Sequence, residues 1–206
     1  MGSNKIDQKL DKKKSTNLHG LRIAFIIGHT NLRPGVKNLA ESAENHYHNQ
    51  IMNDYFCCPD STDFVYDVYR HNSYNLGYHA MCKSTSKRIN AEIEKNGKYD
   101  VIFALHFNAA ESRTAHGAEV LHYFSNDNAA HIGRVYLKKL KQEFESRNRG
   151  LKPLYKGSHR GYWELYYPKS TVVTLEPFFS TNKETFKFTT KRYGQWLRKF
   201  VDNLYV

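Results

Sequence analysis

The chain has 206 residues, a length for one domain, and 40% of them are hydrophobic and 14% aromatic, which excludes wholesale disorder. Lys and Arg number 31 against 20 Asp and Glu, a net charge of +11. That surplus points to a polyanionic partner: nucleic acid, an anionic membrane or an anionic cell-wall polymer.

Residues 1–20 stand apart, with five Lys against two Asp and almost nothing apolar. The segment reads as a flexible basic arm ahead of a folded unit over 21–206. It has no apolar stretch of a secretory leader, so synthesis in the cytoplasm is expected. No run reaches the ~18 apolar residues of a membrane span. Three cysteines, two of them adjacent at Cys57 and Cys58 and the third at Cys82, do not make a disulfide framework.

From Leu21 the pattern alternates. LRIAFII (21–27) is a continuous apolar run bounded by Gly28 and reads as a buried strand. Residues 44–56 carry Tyr47, Ile51 and Tyr55 at helical spacing. FVYDVY (64–69) is a second strand, and a polar helix follows over about 77–95. DVIFALH (100–106) and GAEVLHY (117–123) are further strands. A helix over 129–146 places Ile132, Tyr136, Leu140 and Phe144 on one face. Residues 147–163 read as a loop, TVVTLE (171–176) as a strand, and Tyr193 to Leu204 as an amphipathic helix. Strands alternating with helices predict an α/β fold: one mostly parallel twisted sheet with helices on both faces.

Three apolar strands end in residues that a core would not select: His29 after Gly28, His106, and Glu176 before Pro177. Open α/β sheets bind ligands outside the carboxyl ends of their strands, so parallel strands would gather these three on one rim. Two His and a carboxylate make a set for catalytic Zn²⁺. Glu44, opening the helix after the first strand, falls near the same rim and supplies a second carboxylate. The plainer readings are loop histidines, a helix-dipole glutamate and a strand-terminating Glu176. The HExxH motif is absent.

In order, Gly28-His29, Pro34-Gly35-Val36, Glu44 with Tyr47, Asn49 and Ile51, Leu105-His106-Phe107-Asn108-Ala109, Gly117-Ala118-Glu119-Val120 and Leu175-Glu176-Pro177-Phe178-Phe179-Ser180-Thr181-Asn182 span about 150 residues. This series resembles the zinc-dependent N-acetylmuramoyl-L-alanine amidases, a group that includes phage endolysins and bacterial autolysins. The resemblance implies His29, Glu44 and His106 as zinc ligands, with Glu41 as the alternative to Glu44, and Glu176 as the catalytic carboxylate. It implies local hydrogen bonding around the ligand His for Asn108. The sequence departs from the family's pattern at Thr30 and Asn31, where a second Gly is usual, and before DVIFALH, where only Arg88 and Asn90 match loosely.

The resulting expectation is a hydrolase of peptidoglycan that cuts between N-acetylmuramic acid and L-alanine. A phage endolysin drawn to the anionic envelope by its basic surface, and reaching the wall after membrane permeabilisation, fits best. An autolysin remodelling its own wall is the alternative within this class. A nucleic-acid-binding module is the alternative outside it, but the basic residues are scattered and no binding motif is present, so no nucleic-acid partner is expected. Among the other histidines, His46, His48, His71, His79, His131 and His159 read as surface residues, with His116 and His122 flanking a strand near the cleft. The aromatic run Tyr162 to Tyr167 reads as packing in preference to a groove lining.

Overall fold

The structure is a computed structural model that describes residues 18–33, 35, 44–56, 66–72, 76–158 and 161–205, with the backbone alone over 183–191. The arm expected over 1–20 lies outside these residues except for its last three, as do Glu41, Cys57, Cys58 and His159.

Among the described residues six strands form one sheet: β1 (Ile23–Ile27), β2 (Asp67–Arg70), β3 (Val101–Leu105), β4 (Ala118–Tyr123), β5 (Asn148–Leu154) and β6 (Val172–Glu176), in the order β2-β1-β3-β6-β4-β5. The segment β2-β1-β3-β6 is parallel throughout. β4 runs antiparallel to β6 and carries β5 parallel to itself. β1, β3 and β6 are buried along their whole lengths, as continuous apolar runs flanked by paired strands require.

Side-chain alternation divides the core in two. Ile23, Phe25 and Ile27 of β1, with Val101, Phe103 and Leu105 of β3, face one side. There they meet α1 (Glu44–Ile51), α3 (Asp127–Phe144) and α5 (Lys183–Asp202). Ala24 and Ile26, with Ile102 and Ala104, face the other side, against Ile89 and Ile93 of α2 (Tyr78–Asn96) and Leu165 of α4 (Tyr162–Tyr166). Asn126 caps α3 by accepting from the Ala129 N–H at 2.9 Å. α1 gives way to a π-helical turn over Met52–Phe56, whose Met52 and Phe56 are both buried.

The stretch 147–163, expected as a loop, contains β5 and opens α4. β5 is an edge strand carrying Lys152 and Pro153, half-buried and paired only with β4. Its Gly150, at φ 85°, sits where the β4–β5 register shifts between Ala118 and Val120. Edge placement, Pro and a bulge remove the apolar alternation by which a strand is recognised.

Tyr136 of α3 and Tyr193 of α5 are both fully buried, and their hydroxyls meet at 2.8 Å inside the larger core. Removing one hydroxyl strands the other, whereas removing both leaves an apolar contact. Tyr136→Phe is therefore expected to cost about 1–3 kcal/mol. The Tyr136→Phe/Tyr193→Phe double variant should be clearly more stable than the sum of the single losses, as urea midpoints will show.

Candidate metal centre

The carboxyl ends of β1 and β3 lie side by side in the parallel sheet, with Ile27 paired to Leu105. His106 follows β3 directly and His29 follows β1 after Gly28, so both imidazoles emerge at one rim, with ring centroids 5.0 Å apart. Glu44, the first residue of α1, enters between them. Its Oε2 is 3.3 Å from His29 Nε2 and its Oε1 is 3.3 Å from His106 Nδ1. The Phe107 N–H donates to Oε1 at 2.7 Å and fixes the carboxylate from the β3 side. One ligand-type atom from each of the three residues can be chosen so that all lie within 4.8 Å of one another.

The backbone makes room for this cluster. A Cβ on Gly28 would stand 2.3 Å from the His106 ring, and one on Gly35 would stand 2.6 Å from both Glu44 Oε2 and His29 Cδ2. Gly35 also has φ 81°, which glycine tolerates best. His29 itself has φ 65°, a left-handed conformation that costs a non-glycine residue energy and is found where function requires it.

Glu44 has no solvent exposure. Burial pushes its carboxyl up, but hydrogen bonds and charge from His106 and His29 outweigh this and hold it well below the usual carboxylate range. His106 shows the reverse balance. Burial lowers it, but Glu164 and Glu44 together raise it well above the usual imidazole value.

The loops after β3 and β6 are stitched together. Asn108 N–H donates to Phe178 O at 3.1 Å, and Ser180 N–H donates to Asn108 O at 3.0 Å. These bonds bring Glu176 to a cavity of about 500 Å³ that is also lined by His29, Glu44, His106, Phe107, Tyr78 and Leu121. Directly opposite Glu176 in the antiparallel pair stands Glu119. Burial raises the Glu119 carboxyl, but hydrogen bonds from Arg149, at 2.9 Å, and with Glu176 and Asn108 hold it below its ordinary range.

The sequence-designated residues His29, Glu44, His106 and Glu176 thus share one cavity, and Asn108 ties its loops. Two histidines read as surface residues are not. His48, one turn beyond Glu44, is fully buried against Phe107 at 4.5 Å between rings, and burial pushes it down to about 3. His71 is buried behind the cluster, its Nε2 3.0 Å from Glu164 Oε1. Glu164 is a further residue that the sequence reading missed: it is buried, with Oε2 3.0 Å from His106 Nε2. His46, His79, His116 and His131 are exposed, and His122 is buried in β4 outside the cavity lining. In the aromatic run, Tyr162 and Leu165 are buried, whereas Tyr166 is half exposed.

The family model for N-acetylmuramoyl-L-alanine amidase matches residues 23–202. The chain belongs to that family. It is an N-acetylmuramoyl-L-alanine amidase, an enzyme of peptidoglycan breakdown. Among solved structures, the N-acetylmuramoyl-L-alanine amidase of Clostridium difficile 630 superposes with a TM-score of 0.63 at 16% identity, over 92% of this chain and 99% of that one. The catalytic domain of CD27L, an endolysin targeting Clostridia difficile, gives 0.62 at 22% identity, over 87% and 93%. The amidase AmiC2 of Nostoc punctiforme gives 0.61 at 16%, over 87% and 92%. At these identities the likeness is one of fold. No curated protein sequence matches the chain significantly.

A methyl group at Gly28 displaces the ring of His106 rather than the core. Gly28→Ala is expected to fold, with a melting temperature near that of the parent, and to lose activity on peptidoglycan by about 10²-fold, the usual effect of a 1 Å misplacement in an active site. Turnover measured beside thermal unfolding checks this.

Proposed function

We propose that this amidase is a zinc enzyme that hydrolyses the amide between the lactyl group of N-acetylmuramic acid and L-alanine, with His29, Glu44 and His106 as ligands and Glu176 as general base. The observation that carries it is the His-Glu-His cluster opening into the cavity that Glu176 also lines. The donor set suits the ion: two imidazoles and one carboxylate are a three-ligand catalytic zinc set that leaves a position for substrate. A carboxylate held ionised without solvent exposure, beside Gly35, where a Cβ would stand 2.6 Å from its Oε2, is the environment a dication compensates.

Zinc in this position supplies Lewis acidity, making water a nucleophile near neutral pH and polarising the scissile carbonyl. The protein supplies the rest. Phe107 N–H and the two histidines fix the Glu44 carboxylate, so the site is organised before substrate arrives. Glu176 takes a proton from the attacking water as the new C–O bond forms. It then delivers that proton to the alanine nitrogen as the C–N bond breaks, which releases the lactyl carboxylate and a free amine. Glu119, held anionic beside Arg149, stands opposite Glu176 and accepts a hydrogen bond from it once Glu176 has taken up the proton.

The biological reading is a phage endolysin. It is supported by the charge of +11, which draws the enzyme to an anionic envelope. Produced inside a host, the enzyme is expected to leave cells intact until the membrane is permeabilised and then to lyse them. Lysis without permeabilisation would favour an exported autolysin.

Elemental analysis should find one zinc per chain, lost in His29→Ala and in His106→Ala. Glu176→Gln preserves volume and one oxygen but removes the proton acceptor. It should retain zinc and melting temperature while turnover falls by about 10²–10⁴-fold. Retained turnover would reject the general base, and lost zinc would make Glu176 a ligand. Mass spectrometry of digested peptidoglycan should show peptides with a free L-alanine amine and intact glycan strands.

Activity on whole walls should also fall with added salt while activity on small soluble muropeptides does not, because screening shortens attraction to a Debye length of about 8 Å at physiological ionic strength. Equal salt dependence on both substrates would count against electrostatic targeting.

A further inference from the structure

Beyond the cavity lies a chain of buried polar groups that neither the hydrolysis nor the packing of the core accounts for. Thr85 Oγ1 meets His71 Nδ1 at 2.8 Å, and His71 Nε2 meets Glu164 Oε1 at 3.0 Å. Glu164 Oε2 meets His106 Nε2 at 3.0 Å, and His106 Nδ1 faces Glu44 Oε1 at 3.3 Å. Five separate elements contribute: α2, the end of β2, α4, the end of β3 and the start of α1. Glu164 and the His71 side chain are each 1% exposed. A carboxylate withdrawn from water this completely is costly, and an apolar residue of similar volume would often serve stability as well.

We propose that Glu164 is a positioning residue for the metal site, acting through His106, with His71 and Thr85 holding Glu164 in turn. The inference rests on the zinc reading given above. An ionised carboxylate only accepts hydrogen bonds, so the ring nitrogen facing Glu164 must carry the proton. That places an N–H on His106 Nε2 and turns Nδ1 towards Glu44, so Nδ1 is the nitrogen left to a metal once the proton it shares with Glu44 at 3.3 Å is displaced. The carboxylate also makes the imidazole a stronger donor to a cation, as partners behind ligand histidines commonly do. On its other side the His106 ring is confined by Gly28, where a Cβ would stand 2.3 Å away. The ring therefore has one orientation, set before any metal enters, with Nε2 committed to Glu164. His71 gives its Nε2–H to the second Glu164 oxygen and accepts from the Thr85 hydroxyl, which stops the carboxylate from turning away.

The test compares wild type, Glu164→Ala and Glu164→Gln for zinc affinity, by competition with a chromophoric chelator, alongside circular dichroism and melting of the metal-free proteins. Glu164→Gln retains the volume but not the charge, and its amide cannot accept from both histidines at once. Each folded variant should bind zinc about 10- to 100-fold more weakly than wild type. A merely structural Glu164 would lower the melting temperature and leave the affinity of the folded protein within twofold, which would overturn the proposal. A second measurement needs no variant. Long-range ¹H–¹⁵N spectra of the zinc-loaded wild type should show His106 with its proton on Nε2 and its metal on Nδ1, and the opposite assignment would overturn the proposal even if neither variant folds. Wild type that takes up no zinc would fail the zinc reading and this inference together. Wild type that binds zinc, with Glu164→Gln unchanged, fails this inference alone.

Discussion

A carboxylate with no access to water must be compensated in place, and much of this enzyme's interior is arranged around that requirement at Glu44. Its two oxygens are divided between His29 and His106, and the Phe107 N–H adds a third partner. These contacts set the neighbouring geometry. The first turn of α1 must sit against the ends of β1 and β3, Gly35 beside the carboxylate and Gly28 beside the His106 ring must lack side chains, and His29 must adopt a left-handed backbone. The strain at His29, of a kind worth about 1–3 kcal/mol, persists because the surrounding contacts leave the loop no alternative.

Sheet topology settles where the remaining carboxylates go. Parallel β1, β3 and β6 bring His29, His106 and Glu176 to one rim, as the crevices outside the carboxyl ends of open parallel sheets do. The reversal of β4 has a separate effect. Because it runs against β6, it delivers its starting end to that rim and sets Glu119 opposite Glu176. A fifth parallel strand in that position would present its far end instead. Arg149, from the edge strand β5, then reaches Glu119 and stabilises its charge. An irregular strand at the margin of the sheet thereby bears on the centre of the chemistry.

The apolar strands were legible because a strand buried on both faces is written as an uninterrupted run, and the polar residue that ends such a run stands out. His29, His106 and Glu176 were found by that signal. His71 carried the same signal, since it follows β2 directly, but β2 is an edge strand with half-buried residues and its end could not be located to one position. His48 was recoverable in principle. It lies one turn after Glu44 and one before Ile51, on the buried side of α1, yet a polar helix gave no reason to assign it inward. Glu164 left no pattern at all. Its partners lie 93 and 58 residues away, and only the folded chain brings them together. β5 was illegible for a related reason, since Gly150 and Pro153 are locally the marks of a loop and only β4 makes them a strand.

The smallest helix, α4, has five residues. That is far below the length at which a helix persists alone, so its order is borrowed from what it touches. Tyr162 and Leu165 fasten it by burial, Asn90 of α2 holds the turn that follows through Tyr167 O and the Lys169 N–H, and Glu164 fastens it to the imidazoles. The last of these attachments is shared with the metal position. On the proposed zinc reading, thermodynamic linkage would run in both directions: an ion that steadies His106 would also steady α4, and an opening of α4 would loosen the ion. Amide exchange in a helix of one turn would then become a gauge of occupancy at a site it does not itself line, and the wall beside the cavity would be firmest in the loaded enzyme.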